Sequence, residues 1–133
     1  MFLKYNWPGI LWIIIIMVLI GTPGNYIPKV ITFWNWLSPD KIIHLLIFGI
    51  LTFLLIRGFQ KQFSFQKLRL YSKQSALIFG IFFGLLTEVL QIFVFTGRYG
   101  SMYDFSANTL GCLLGLLFYN LINRKLQRKS GNL

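Results

Sequence analysis

The sequence predicts an all-α membrane protein, a compact bundle of four transmembrane helices with short loops and an interfacial segment between the first two. Three observations carry that prediction. Hydrophobic residues fill 56% of the 133 positions and charged residues 12%, and the mean hydropathy is +0.65, a composition foreign to water-soluble domains. The apolar residues gather into four long segments. The 13 basic residues, set against three acids, flank those segments and form no soluble patch, which argues against nucleic acid and for contact with anionic lipid headgroups.

The first segment runs from about residue 7 to residue 21 and includes four consecutive isoleucines at 13–16. Lys4 ahead of it would suit a secretory signal, but Gly21-Thr22-Pro23-Gly24-Asn25 has no small-x-small cleavage pattern, so a retained anchor is expected. Tyr26, Phe33, Trp34 and Trp36 follow before Pro39. Aromatic rings with polar edges favour the headgroup zone, which makes this stretch the expected interfacial segment. The second segment covers 42–56, between Lys41 and Arg57. At 1.5 Å per residue the first two fall short of a hydrocarbon core about 30 Å thick, so flanking residues or a thinned bilayer must make up the difference. The third, 75–95, and the fourth, 105–122, are long enough unaided. Residues 1–133 read as a single membrane domain, with its polar motifs in about 40–115 and a basic tail at 123–133.

Orientation follows from charge. Lys4, then Arg57, Lys61, Lys67, Arg69 and Lys73, then Arg124, Lys125, Arg128 and Lys129 share one side, ten residues against three (Lys29, Lys41 and Arg98) on the other. Because cytoplasmic loops are enriched in Lys and Arg, both termini and the middle loop are expected in the cytoplasm.

All three acids then fall on the outer face. Asp40 opens the second helix, Glu88 lies late in the third, and Asp104 opens the fourth. Helical spacing puts Asp40, Lys41, His44, Phe48 and Thr52 in one stripe, Gly80, Gly84, Glu88 and Gln91 in another, and Asp104, Asn108, Gly111 and Gly115 in a third. Glycines four apart let helix backbones approach closely, so Gly80–Gly84 and Gly111–Gly115 are expected to pack the third helix on the fourth. That packing would gather Glu88, Gln91, Asp104 and Asn108.

Glu88 lies too deep for a short carboxylate to reach bulk water, and an ionised group at that depth needs a partner. Lys41, His44 and Arg98 are the available cations. Asp40, one turn before His44, would orient the ring for acid–base work, with Glu88 as a second proton carrier. Asp40, His44 and Glu88 are therefore the catalytic candidates. Arg98, in the small-residue loop Thr96–Ser101, could clamp a phosphate or carboxylate, or pair with Asp104 or Glu88. Asp40, His44, Glu88 and Asp104 are ligand types that suit a divalent ion, but no HExxH-like spacing supports a metal site, so none is expected and no cofactor is implied. Ser101 and Ser106 lie near the cluster without a triad or nucleophile-elbow pattern. Cys112, the single cysteine, lies inside the fourth segment and reads as a packing residue.

Taken together these residues resemble the VanZ-like family of small bacterial membrane proteins. The resemblance rests on Asp40-Lys41-Ile42-Ile43-His44, then Glu88-Val89-Leu90-Gln91, then Arg98, Asp104, Asn108 and Gly111 in order. It implies that Asp40, Lys41, His44, Glu88, Gln91, Arg98, Asp104 and Asn108 form a functional centre in a bacterial cytoplasmic membrane. The family's named member is associated with resistance to the lipoglycopeptide teicoplanin, which makes an antibiotic-resistance role one implication.

The residues favour an outward-facing pocket for a cell-envelope molecule: a lipid headgroup, a lipid-linked wall intermediate or a lipoglycopeptide. Lys41 and Arg98 would hold anionic groups there, and Glu88, Gln91, Asp104 and Asn108 would orient the ligand. Two alternatives use the same cluster, as a membrane-embedded hydrolase or transferase or as a lock in a purely structural subunit. A transporter is disfavoured, since four helices without an internal repeat leave no evident path.

Overall fold

The computed structural model describes residues 2–22, 39–95, 97 and 100–130. These form five helices: α1 (Phe2–Gly21), α2 (Pro39–Gln60), α3 (Gln66–Leu70), α4 (Ser72–Phe93) and α5 (Met102–Ser130). All but α3 are long and apolar enough to cross a membrane, with 20, 22, 22 and 29 residues. Even the shortest spans about 30 Å at the rise of an α-helix. Flanking residues make up the shortfall expected of the first two segments, because α1 begins at Phe2 and α2 runs from Pro39 to Gln60. Proline suits the start of α2, where its missing N–H would have no helical partner. The predicted interfacial segment, with Tyr26, Phe33, Trp34 and Trp36, lies outside the described residues, as do Lys29 and Arg98. The basic tail continues α5 as far as Ser130.

Side-chain contacts fix the directions of the helices. Gly9 faces Leu55, and the Trp12 indole donates to Ile47 O at 2.8 Å, so α1 and α2 are antiparallel. Gly80 faces Thr52 and Cys112 while Gly84 faces Phe48 and Asn108, which sets α4 antiparallel to both α2 and α5. Gly111 meets Leu45 and Gly115 meets Gly49, so α2 and α5 run parallel.

That last pairing departs from the sequence expectation. Gly80 and Gly84 do receive α5, but Gly111 and Gly115 lie against the backbone of α2. The α2–α5 seam is the most extensive contact in the bundle. A Cβ on Gly111 would strike the carbonyl of Leu45, and one on Gly115 the carbonyl of Gly49. Glycine spacing states that a backbone comes close; it does not state which one. Gly49 completes the seam, since a Cβ there would sit 3.2 Å from Gly111 O.

Burial is reversed relative to a soluble protein. Leu46, Ile78, Phe82, Leu117 and Phe118 are exposed, whereas Thr52, Thr87, Glu88, Gln91 and Asn108 are buried. In lipid this is the favourable arrangement, because apolar side chains face hydrocarbon and polar groups are kept out of it. An apolar core of Ile16, Phe48, Leu51, Ile56 and Ala76 separates the polar end from the basic end. Cys112 is fully buried in that core and packs on Gly80, as its sequence position suggested. The sequence marked no helix at α3, a single turn whose Leu68 packs on the core while Phe65 meets Phe2 edge-on at 6.0 Å.

Candidate functional site

Three helix ends build the site. α2 and α5 both begin at the polar end and α4 finishes there, so Asp40, His44, Glu88, Gln91, Asp104 and Asn108 meet. Asp40 and Asp104 each sit in the first turn of their helix. The positive end of the helix dipole favours a carboxylate there by about 0.3–1 kcal/mol.

A buried hydrogen-bond chain forms its centre. Glu88 Oε2 accepts from the Ser101 backbone N–H at 3.1 Å, and Glu88 Oε1 accepts from Asn108 Nδ2 at 3.1 Å. Asn108 Oδ1 lies 2.9 Å from His44 Nδ1. An amide that turns its NH₂ to a carboxylate must turn its oxygen the other way, so His44 Nδ1 carries the proton and donates it. His44 Nδ1 also stands 4.0 Å from Glu88 Oε1. Asn108 therefore holds the ring, where the sequence pointed to Asp40. An amide can bond to both neighbours at once, its NH₂ to Glu88 and its oxygen to the ring.

Asp40 still lies close. A ring nitrogen of His44 and carboxylate oxygens of Asp40 and Asp104 fall within 4.8 Å of one another. Beside them a cavity of about 170 Å³ is lined by Asp40, His44 and Gln91 and closed by Ile20 and Ile47. Gln91 is 2% exposed and faces this cavity. Lys41 stands apart from Glu88, with its ammonium over the Tyr103 ring at 5.3 Å. A cation–π contact keeps that charge at the rim.

The sequence model of the VanZ/LLP1 family matches residues 7–123, from the first membrane helix to the last. The chain belongs to the VanZ/LLP1 family. No curated protein and no solved structure matches it. The VanZ/LLP1 match takes in every residue of the polar end and extends the resemblance read from residues 40–115 to α1.

Within this VanZ/LLP1 fold, sequence reasoning passed over the Ser101 amide, which holds one side of Glu88. A signal for it exists. Ser101-Met102-Tyr103-Asp104 has the S-x-x-D form of a helix N-terminus. Ser101 Oγ accepts from the Tyr103 N–H at 3.2 Å, as a cap should. In a capping box the Ser101 N–H would bond to the side chain three residues on, but here Glu88 takes it. Glu88 thus ties the end of α4 to the start of α5.

Proposed function

We propose that this membrane protein of the VanZ/LLP1 family binds the polar head of a cell-envelope molecule at its polar end. The observation that carries the reading is the cavity that the buried Gln91 and His44 share with Asp40 at the polar end of the bundle. A polar ligand entering that cavity would meet an amide, a carboxylate and an imidazole, and each hydrogen bond it made there would contribute about 0.5–1.5 kcal/mol. By the distribution of basic residues the site faces away from the cytoplasm of a bacterial cell, at headgroup level.

The roles divide by burial. Asn108 is fully buried and spends its amide on Glu88 and His44, so it positions the others. His44, Gln91 and Asp40 face the ligand, Lys41 holds its anionic groups from the rim, and Arg98 is assigned the same task from the sequence alone. Headgroup lipids, lipid-linked wall intermediates and lipoglycopeptides such as teicoplanin share this chemistry, and the last would give an antibiotic-resistance role.

The test is retention of these three classes by protein in nanodiscs, comparing the parent with Gln91→Leu and Arg98→Ala. Selective binding of one class, weakened at least about tenfold in both variants, supports the reading. Equal retention of all classes by all three proteins defeats it. A hydrolase or transferase would use the same pocket, with His44 as the proton-transfer group; release of a cleaved headgroup from the retained ligand is its signature.

A further inference from the structure

We propose that Asp40, His44 and Asp104 hold a divalent transition-metal ion, of the Zn²⁺ or Mn²⁺ kind, at the mouth of the bundle. Nothing in the spacing of these residues along the chain resembles a metal motif. The set arises because α2 and α5 start side by side and run parallel.

Four observations converge. Two carboxylates and an imidazole nitrogen approach to within 4.8 Å, close to the ligand–ligand separation of about 3.4 Å implied by metal bonds near 2.0–2.1 Å. His44 and Asp104 are both buried, with 4% and 9% of their surface exposed.

The second observation concerns the ring. Nδ1–H is committed to Asn108, which leaves Nε2, with its lone pair in the neutral imidazole, as the free ligand atom. The chain from His44 through Asn108 to Glu88 is the outer-shell support that metal-bound histidines require, an N–H held by an oxygen that is itself fixed.

Third, the donor set has the right chemistry. Two oxygens and one imidazole nitrogen suit Zn²⁺ or Mn²⁺ better than the all-oxygen shells of Mg²⁺ and Ca²⁺. Fourth, three protein ligands leave coordination positions open, and a cavity adjoins the set with the 2%-exposed Gln91 on its wall. An ion with open positions beside a cavity can take a water or an oxygen of a bound molecule.

The site stands on this geometry whether or not the headgroup reading holds, so its test uses no envelope ligand. Protein purified in detergent is stripped with a chelator and titrated with Zn²⁺ and, separately, Mn²⁺ by calorimetry. The parent should bind one ion per chain. Asp104→Asn and Asp40→Asn should each weaken binding at least about tenfold, and Glu88→Gln should weaken it by a smaller factor through the ring.

Co²⁺ loaded into the parent should give a visible absorption band that shifts or vanishes in Asp104→Asn. If Asp104→Asn fails to fold, Asp40→Asn, at the more exposed position, carries the comparison. No binding by folded parent would overturn the proposal. Equal binding by parent and both variants, an adventitious ion only, would overturn it as well.

Discussion

Replacing Gly111 by alanine adds one methyl group where α2 and α5 touch backbone to backbone. An ideal Cβ at that position falls 3.0 Å from Leu45 Cα and Leu45 C and closer still to the carbonyl oxygen. Ordinary contacts of this kind are near 3.5–4.0 Å, so the helices must part by about 0.5–1 Å along the seam. A gap of that size forfeits a quarter to a half of each dispersion contact it opens. Overpacking of a fixed backbone costs about 1–3 kcal/mol, and Gly111→Ala belongs in the upper half of that range because no side chain can yield. Gly115→Ala meets Gly49 in the same way and should cost as much. The control is Gly9→Ala, whose Cβ meets only the flexible end of Leu55 at 3.2 Å and should change stability by less than about 0.5 kcal/mol. The assay is reversible unfolding in mixed micelles as denaturing detergent is increased. If Gly111→Ala and Gly115→Ala match the Gly9→Ala control, the backbone seam does not hold the bundle together and the argument fails.

Asn108→Leu removes two bonds at once and orphans Glu88 Oε1 and His44 Nδ1. In the same unfolding assay it should cost about 2–4 kcal/mol; a loss under about 1 kcal/mol would mean that the chain contributes little. Glu88→Gln can present its oxygen to Asn108 only by turning its NH₂ towards the Ser101 N–H. The variant should fold with a penalty of about 1–3 kcal/mol and lose activity, read as envelope-antibiotic sensitivity in cells. Full activity in that strain would show that the carboxylate serves structure alone. Trp12→Phe deletes the indole bond to Ile47 O and should lower stability by about 0.5–1.5 kcal/mol, and an unchanged unfolding curve would remove that bond from the account of α1 docking.

Much of the fold could be read from the chain because a bilayer imposes strict rules on sequence. A span needs some 20 apolar residues, and the polar groups within it must share an inward stripe. Hence four spans and the inward faces of His44, Glu88 and Asn108 followed from hydropathy and a 3.6-residue period. Such patterns describe one helix at a time. They indicate that Gly111 and Gly115 admit a neighbouring backbone, but the neighbour proved to be α2, because shape complementarity along the whole seam decides a pairing. They place Asp40 one turn from His44, but they are silent on Asn108, 64 residues away, which holds the ring. The meeting of Asp40, His44 and Asp104 is likewise beyond any one-dimensional pattern. It exists because two helices distant in sequence begin at the same depth and run the same way, and only packing in three dimensions sets that register.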